Sequence, residues 1–432
     1  MLDIQLIRTE PQKVKESLAK RGYEADFEDF LEKDKERRQI ISSGEQLKAR
    51  RNRVSGQIPV MKKNGEDVSE VLKEMKELSD EIKLSDRRLE ELQAEQQAFL
   101  VSLPNMPADD VAAGGKESNT VIEVFGDKPA FGFEPQHHVD LAERLRMIDY
   151  VRGAKMSGSG YWLYSGWGAR LEWALLNYFI TEHTKDGYEM LLVPHMLNYD
   201  SGFTAGQFPK FEDDVYWMEA DEGTAEKNRH FLLPTAETAL VNYYRDEIVD
   251  PSELPRKFFA YSPCYRKEAG SYRAEERGMI RGHQFNKVEI FQYTTPEDSD
   301  EAFEELCTKA CKLMSGLGLH FRLSKLAAGD CSASMARTHD IEVWIPSMND
   351  YKEVSSASNA HDYQARRGNM RYRREDGKTG FMHTLNASGL ATSRVFPAIL
   401  EQYQQADGSV LIPEVLRPWM DGKERIEAPA KA

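Results

Sequence analysis

The sequence predicts an α+β protein with an N-terminal antiparallel coiled-coil hairpin and a C-terminal domain whose antiparallel β-sheet is flanked by helices. Three observations predict this fold. Apolar residues repeat every seven positions over residues 68–103, and a linker composition rich in Pro and Gly follows at 104–115. Beyond the linker, short β-like runs mix with helical stretches without regular βα alternation, which argues against a doubly wound parallel sheet.

Length and composition indicate a multidomain globular chain. With 432 residues, 40% hydrophobic and 30% charged, two domains are expected. Because no run of 18 apolar residues occurs and the N-terminus lacks the pattern of a signal peptide, we expect a cytoplasmic protein without membrane spans. The net charge of -15 excludes a uniformly basic protein, although a local basic face could still bind nucleic acid.

The heptad pattern predicts two long helices that pack side by side. Nine of eleven positions are apolar in two interleaved sets with a spacing of seven: Val68, Met75, Ile82, Leu89, Gln96, Leu103, and Val71, Leu78, Ser85, Leu92, Phe99. The preceding segment carries the same spacing at Ile40, Leu47, Val54 and Met61, and the polar turn 62–67 separates the two runs. The interpretation is a helical hairpin over about 28–103, on the order of 50 Å long.

The two arms of this hairpin differ in charge. Residues 31–63 carry ten Lys/Arg and four Asp/Glu, whereas residues 66–103 carry five and eleven. The candidate nucleic-acid ligands are Lys48, Arg50, Arg51 and Arg53. These basic side chains could follow a phosphate backbone, or they could form ion pairs with the acidic arm. Pro59 is expected to kink or end the first helix because it lacks a backbone N–H group.

The predicted domains are residues 1–103, a linker at 104–118, and residues 119–432. The four cysteines, Cys264, Cys307, Cys311 and Cys331, contain no CxxC pair, so reduced thiols are expected rather than a zinc site. Adjacent His137 and His138 should point in different directions, which argues against a metal site there. Neither a GxxxxGK[ST] phosphate loop nor a Rossmann glycine fingerprint occurs in the C-terminal part.

Residues 264–268 and 281–289 alternate like two antiparallel strands joined by a loop. On such strands Arg266 and Glu268 would share one face, as would Arg281, Phe285 and Glu289, because side chains alternate with period two. An arginine there could neutralise a phosphate, and an aromatic ring could stack on a base. A charged surface hairpin is the alternative.

Three segments in order resemble the motifs of class II aminoacyl-tRNA synthetases. Residues 187–194, after a helix, resemble motif 1; Arg266-x-Glu268, a loop and Arg281-x-x-x-Phe285-x-x-x-Glu289 resemble motif 2; and Gly389-Leu390-Ala391 with Arg394 resembles motif 3. Within that class, segments 234–237, 283–289, 353–356 and 364–367 are similar to seryl-tRNA synthetases. The resemblance implies a class II catalytic domain that activates L-serine with ATP and transfers it to tRNA.

The resemblance also implies roles for individual residues. Arg266, Glu268, Arg281 and Arg394 would be catalytic. ATP would be bound by Arg266, Lys267, Glu268, Gly282, Phe285, Glu353, Val354, Ser355, Ser356 and Arg394. Serine would be bound by Thr235, Ala236, Glu237, Arg266, Glu289, Asn386 and Ser388. The implied Mg²⁺ ligands, Glu353 and Ser356, are hard oxygen donors of the kind that this ion prefers.

The implied partners are tRNA(Ser), tRNA(Sec) and a second copy of the chain in a homodimer. Two rival readings stay open at this point: a synthetase-like ligase that passes the amino acid to a non-tRNA acceptor, and a catalytically silent tRNA-binding scaffold. The sequence departs from the family pattern at Ala387, where a glycine is expected, and at Pro59 in the arm.

Overall fold

The computed structural model describes residues 1–221, 223–225, 228–268 and 278–428. The chain divides into two compact units. The first holds Met1–Ala19 and Tyr23–Pro104, and the second holds Lys20–Gly22 and the residues from Asn105 onward. No helix in the described part of the chain is long and apolar enough to cross a membrane.

The helices are α1 Ile4–Thr9, α2 Pro11–Ala19, α3 Glu28–Asn64, α4 Ser69–Ser102, α5 His138–Arg144, α6 Tyr150–Ser157, α7 Gly166–Lys185, α8 Tyr199–Thr204, α9 Glu237–Leu240, α10 Ser299–Gly316, α11 Tyr363–Arg367 and α12 Thr392–Gln402. The strands are β1 Thr120–Phe125, β2 Ile148–Asp149, β3 Leu163–Tyr164, β4 Glu189–Leu191, β5 Met196–Asn198, β6 His230–Leu232, β7 Ile248–Val249, β8 Arg256–Tyr265, β9 Gln284–Thr294, β10 Phe321–Lys325, β11 Arg337–Ile345, β12 Asp350–Asn359, β13 Arg371–Arg373, β14 Thr379–Phe381, β15 His383–Ala391, β16 Val410–Leu411 and β17 Arg425–Ile426.

The first unit is dominated by the antiparallel pair α3 and α4, as the heptads predict. All eleven heptad positions of residues 68–103 are buried or partly buried. Ion pairs join α3 to α4 at Lys33–Glu95, Glu36–Arg88, Lys48–Asp86 and Arg50–Glu74. Residue numbers rise on one helix as they fall on the other, which shows that the helices are antiparallel.

Helix α3 continues through Pro59 and ends at Asn64, so the proline does not end the helix. Pro59 removes the hydrogen bond to the carbonyl of Ser55, but both residues are exposed and water can satisfy that carbonyl. The helix ends at Gly65, whose φ of 74° is the left-handed conformation that glycine adopts easily. The N–H groups of Gly65 and Glu66 close the end on the carbonyls of Lys62 and Met61.

Asp34 is a buried carboxylate inside the first unit. Its oxygens accept hydrogen bonds from Arg8 at 2.7 Å and from Gln96 at 2.9 Å. Burial would raise the pKa of Asp34, but these hydrogen bonds and the nearby positive charges lower it to about 2. Gln96 is one of the two polar residues in the heptad sets, and this contact explains its place there.

The second unit is built on an eight-stranded sheet with the order β1-β10-β11-β12-β15-β9-β8-β4. Every neighbouring pair is antiparallel except β4 and β8, which are parallel. Helices α10 and α12 both contact β9, β11, β12 and β15. The predicted antiparallel sheet with flanking helices is therefore confirmed, and the four cysteines are free and buried.

Candidate active site

A pocket in the second unit gathers residues from four distant segments. Its empty space is about 540 Å³ when the open mouth is included. The lining consists of Arg266, Glu268, Ile280, Arg281, Gly282, Phe285, Lys287, Glu353, Val354, Ser388, Ala391, Ser393 and Arg394. Nine of these thirteen were predicted as site residues from the sequence. Ile280, Lys287, Ala391 and Ser393 were not.

The strand pattern that was used to place the arginines is wrong in detail. Strand β8 ends at Tyr265 and β9 begins at Gln284, so Arg266, Glu268 and Arg281 lie outside the strands. Glu268 has a φ of 51°, which takes the chain away from an extended course. The joining loop falls largely on residues 269–277, which lie outside the described residues. Period-two alternation therefore applies to Phe285 and Glu289 but not to the other three.

Three guanidinium groups surround the pocket, and carboxylates hold two of them. The Arg281 Nε donates to Glu268 Oε2 at 2.6 Å. The Arg394 Nη1 donates to the Glu353 backbone oxygen at 2.6 Å and lies 3.6 Å from its carboxylate. Arg266 donates through Nε to the carbonyl of Pro234 at 3.2 Å. The arrangement is a cationic cradle whose arginines are fixed by contacts from different elements.

Phe285 provides the flat apolar surface of the pocket. Its ring lies opposite Cys264 in the β8–β9 pairing, and the guanidinium carbon of Arg266 is 5.3 Å from its centroid. Gly282 forms part of the wall because nothing larger fits: an added Cβ would lie 2.1 Å from the Trp162 ring. A backbone wall and an aromatic face beside three cations suit a planar base attached to phosphates.

Behind the pocket, Lys287 connects several predicted serine ligands. Its Nζ donates to Thr235 Oγ1 at 2.6 Å and pairs with Glu289 Oε2 at 2.5 Å. Glu289 Oε1 accepts a hydrogen bond from Asn386 Nδ2 at 3.0 Å. Lys287 was missed as a site residue, although it lies between Phe285 and Glu289 at period two on β9, and that alternation could have identified it.

Glu237 is a buried carboxyl that interacts electrostatically with Lys287 and Glu289. Gln364 Nε2 donates to its Oε1 at 2.9 Å. Burial and the neighbouring Glu289 carboxylate raise the pKa of Glu237 to about 7, against the opposing charges of Lys287 and Arg266. Ala236 is fully buried beside it. These predicted serine ligands lie next to the pocket lining rather than in it.

Several predicted ATP ligands also lie outside the lining. The Lys267 N–H donates to the carbonyl of Asp214 at 3.0 Å. The Ser355 hydroxyl donates to the Ser388 carbonyl at 2.6 Å, and the Ser356 hydroxyl donates to Asp340 Oδ1 at 2.5 Å. Asp340 was not identified from the sequence, because nothing near it in the chain marks it as a partner of Ser356.

The junction of β15 and α12 brings Arg394 to the pocket. A Cβ at Gly389 would lie 2.2 Å from His183 Nε2, and the Gly389 carbonyl hydrogen-bonds that nitrogen at 2.7 Å, so glycine is required there. Ala387, where the family pattern has glycine, has its methyl group fully buried in the main hydrophobic core. The extra methyl therefore fills core space.

On the hairpin, two of the four predicted tRNA ligands form ion pairs with the opposite helix. Lys48 Nζ lies 2.8 Å from Asp86, and Arg50 Nη2 lies 2.5 Å from Glu74. Lys48, Arg50 and Arg53 are exposed, and Arg51 is partly exposed. The ion-pair reading is therefore correct for two of these residues, and the basic surface is nevertheless open to solvent.

The expectation that His137 and His138 diverge is wrong. Their ring centroids are 4.1 Å apart, and their nitrogens lie within 4.8 Å of one another and of a Glu401 oxygen. Other contacts occupy the group: His138 Nδ1 is 2.7 Å from Glu401, and His137 Nδ1 accepts the Val139 N–H at 3.1 Å. The histidines serve here to begin α5 and to anchor α12.

Comparison with known proteins gives the same family along the whole chain. Residues 1–107 match the seryl-tRNA synthetase N-terminal domain, and residues 216–403 match the tRNA synthetase class II core domain (G, H, P, S and T). The chain is 60% identical to Serine--tRNA ligase 2 of Clostridium acetobutylicum over 99% of its own length and 100% of that protein.

Solved structures agree with this similarity. The seryl-tRNA synthetase of Pyrococcus horikoshii, complexed with ATP, superposes with a TM-score of 0.91 and 34% identity, and the match covers 100% of both chains. The cytoplasmic serine-tRNA ligase of Naegleria fowleri, in complex with AMP, gives a TM-score of 0.85 and 27% identity with 99% of each chain covered.

Proposed function

Since this chain belongs to the seryl-tRNA synthetase family and ligates serine to tRNA, we propose that the pocket beside β8, β9, β12 and α12 carries out the first step, in which L-serine and ATP form seryl-adenylate and pyrophosphate. Transfer of serine to the 3′ end of tRNA(Ser) follows. One observation carries the proposal: Arg266, Arg281 and Arg394 surround a single pocket together with Phe285 and Glu353.

The nucleotide fits the pocket by charge and shape. Adenine stacks on Phe285 against the backbone of Gly282, with Glu268 near the base. Arg266 holds the α-phosphate and the serine carboxylate, while Arg281 and Arg394 hold the outer phosphates. The serine carboxylate attacks the α-phosphorus in line, the bond to pyrophosphate breaks, and the arginines stabilise the charge that develops.

Serine lies deeper, among Thr235, Glu237, Glu289, Asn386 and Ser388. Two polar atoms support this assignment. Within the described residues, Glu289 Oε2 and Asn386 Oδ1 are buried without a hydrogen-bond partner, although Lys287 provides an opposite charge to the first. A small hydroxylated amino acid carries the ammonium and hydroxyl donors that such acceptors need.

Glu353 and Ser356 are proposed to hold Mg²⁺. The donor set fits, because a half-exposed carboxylate and a hydroxyl are hard oxygen ligands on one strand beside the phosphate site. When bound, the ion neutralises negative charge on the phosphate oxygens. The protein's own contribution is to hold Glu353 and Arg394 in the pocket lining, with Ser356 on the same strand as Glu353.

The acceptor is proposed to bind the basic arm α3 through Lys48, Arg50, Arg51 and Arg53, and the acceptors include tRNA(Sec) as well as tRNA(Ser). A homodimer is proposed on the side of the class II core that exposes large apolar residues. Trp173 is 55% exposed on α7 and Leu192 is 82% exposed just after β4, and α7 contacts β4, so these apolar side chains offer a surface for a partner.

The test is serine-dependent exchange of pyrophosphate into ATP, followed by charging of purified tRNA(Ser). The Arg266→Ala variant should lose at least about a hundredfold in exchange rate, because one preorganised donor to a developing charge contributes that much. The matched control is Arg373→Ala on β13, an exposed arginine outside the pocket. Normal exchange by Arg266→Ala would contradict the assignment of the pocket.

A further inference from the structure

A β-bulge on β12 decides which face Glu353 and Ser356 occupy. Residues three apart on a regular strand point to opposite faces. Here the register changes: Ile341 pairs with Ser355, whereas the next residue, Glu342, pairs with Glu353, so Val354 is the extra residue. The bulge therefore turns Glu353 and Ser356 to the same face, and Val354 is buried.

The neighbouring strand β11 presents two carboxylates on this face, and they have different partners. Glu342 is neutralised by Arg322 at 2.8 Å and accepts the Ser324 hydroxyl at 2.6 Å. Asp340 lies directly opposite Ser356 and accepts its hydroxyl hydrogen at 2.5 Å. No basic nitrogen of the described residues lies within 4.0 Å of the Asp340 carboxylate.

The hydrogen bond to Asp340 fixes the direction of the Ser356 hydroxyl. A serine hydroxyl has one hydrogen to donate and two lone pairs with which to accept. Because the hydrogen points to Asp340, the lone pairs point elsewhere and are available to a cation. An outer partner that holds a ligand in its binding orientation raises the affinity of the site for the ion.

We propose that Asp340 is a positioning residue for the divalent cation: it orients Ser356 as a ligand without binding the ion itself. The inference rests on the proposed function of Glu353 and Ser356. It differs from that function in assigning a role to a residue on another strand, one that touches neither nucleotide nor serine.

The test is Mn²⁺ binding to the protein in the presence of ATP, measured by the loss of the electron paramagnetic resonance signal of free Mn²⁺ beyond the loss that ATP alone causes. We expect Asp340→Ala to weaken Mn²⁺ binding by about 10–100-fold, the usual effect of removing an outer partner of a ligand. Asp340→Asn keeps an oxygen that accepts the Ser356 hydroxyl, so it should weaken binding by a smaller factor. The Mg²⁺ concentration for half-maximal exchange should rise, and excess Mg²⁺ should restore the rate. A thermal melt establishes that each variant is folded.

Two further variants separate the possible outcomes. Glu342→Gln removes a carboxylate from the same face that is already neutralised, and it should change Mn²⁺ affinity less than about threefold, since a paired charge adds little. An equal loss in Glu342→Gln would overturn the positioning role in favour of a general charge effect. If Glu353→Gln weakens Mn²⁺ binding and both Asp340 variants do not, the inference on Asp340 is wrong and the proposed site stands. If Glu353→Gln has no effect, the proposed metal site itself is wrong.

Discussion

The ion pairs of the helical hairpin and those of the pocket are built in opposite ways. Lys48–Asp86 joins two helices across an exposed surface, and 48% of each side chain is accessible. Lys287–Glu289 is buried, with 7% and 1% accessible. Water screens the first pair, so it contributes little, whereas a buried charge that loses its partner is strongly destabilising. The hairpin can therefore exchange a carboxylate for a phosphate at small cost, while the pocket keeps its charges in one arrangement.

The comparison is tested most strongly at Lys287, where we expect the largest change in the free energy of unfolding. Lys287→Met leaves the buried Glu289 carboxylate without its cation, so the free energy of unfolding should fall by about 3–5 kcal/mol. Urea unfolding followed by circular dichroism measures the change. Lys48→Met in the hairpin is the matched control and should cost less than about 1 kcal/mol. Equal losses in the two variants would remove the distinction between the regions.

A buried carboxyl that has no cationic partner among the described residues should show the next largest effect. Glu172 on α7 is 3% exposed and accepts from Asn286 at 2.7 Å and Thr392 at 2.6 Å. Burial raises the pKa of Glu172 to about 7 from its ordinary value of 4.5, despite these donors. The folded state therefore binds the proton more tightly, and stability is lost as pH rises from 4.5 through 7.

Glu172→Gln should abolish that loss, which amounts to about 3 kcal/mol across the window. The measurement is the difference in unfolding free energy between wild type and variant at pH 5 and at pH 8. The variant should gain relative to wild type at the higher pH. A pH-independent difference would show that Glu172 is ionised in the folded protein throughout the range.

Beside the pocket, the proposed serine ligand Glu237 should make substrate binding depend on pH. Its pKa of about 7, raised by burial and by Glu289, means that a large fraction is neutral below pH 7. Because the proposed serine site pairs the ammonium with the ionised carboxylate, serine affinity should rise with pH from 6 to 8, approaching tenfold per unit below pH 7. The KM for serine in pyrophosphate exchange measures this. A Glu237→Gln variant should bind serine weakly with a flat profile, and a wild-type profile in that variant would exclude the role.

In the hairpin we expect the smallest change in stability, together with a measurable change in the affinity for tRNA. Lys48→Ala should change the unfolding free energy by less than about 1 kcal/mol. It should weaken tRNA(Ser) binding and reduce the slope of log affinity against log salt by about 1. Filter binding over a salt series gives the slope, with exposed Lys83→Ala on α4 as control. An unchanged slope would mean that Lys48 does not contact phosphate.

The hairpin was predictable because its information is local. A seven-residue repeat defines a helix face from neighbouring turns, and every heptad position of residues 68–103 is indeed buried or partly buried. Pro59 was the exception. Its cost depends on whether the freed carbonyl can reach water, and that exposure is a property of the packed hairpin.

The site was only partly predictable. Resemblance to class II motifs named Arg266, Phe285 and Arg394, and similarity to seryl-tRNA synthetases named Glu353. These residues line one pocket. The argument from strand faces failed for Arg266 and Arg281, because β8 ends before Arg266 and β9 begins after Arg281. Alternation along β9 could have added Lys287, because that signal lies within one segment of the chain.

By itself the sequence determined the family, the helical hairpin, and the residues proposed to bind phosphate, base and amino acid, since these depend on local periodicity and on motifs that can be read in order. The tertiary structure alone decided how β12 pairs with β11. The bulge at Val354 and the contact between Ser356 and Asp340 follow from inter-strand register. Although β11 and β12 are consecutive strands, their register depends on the turn and on packing between their side chains, and no periodicity within either strand specifies where the extra residue lies.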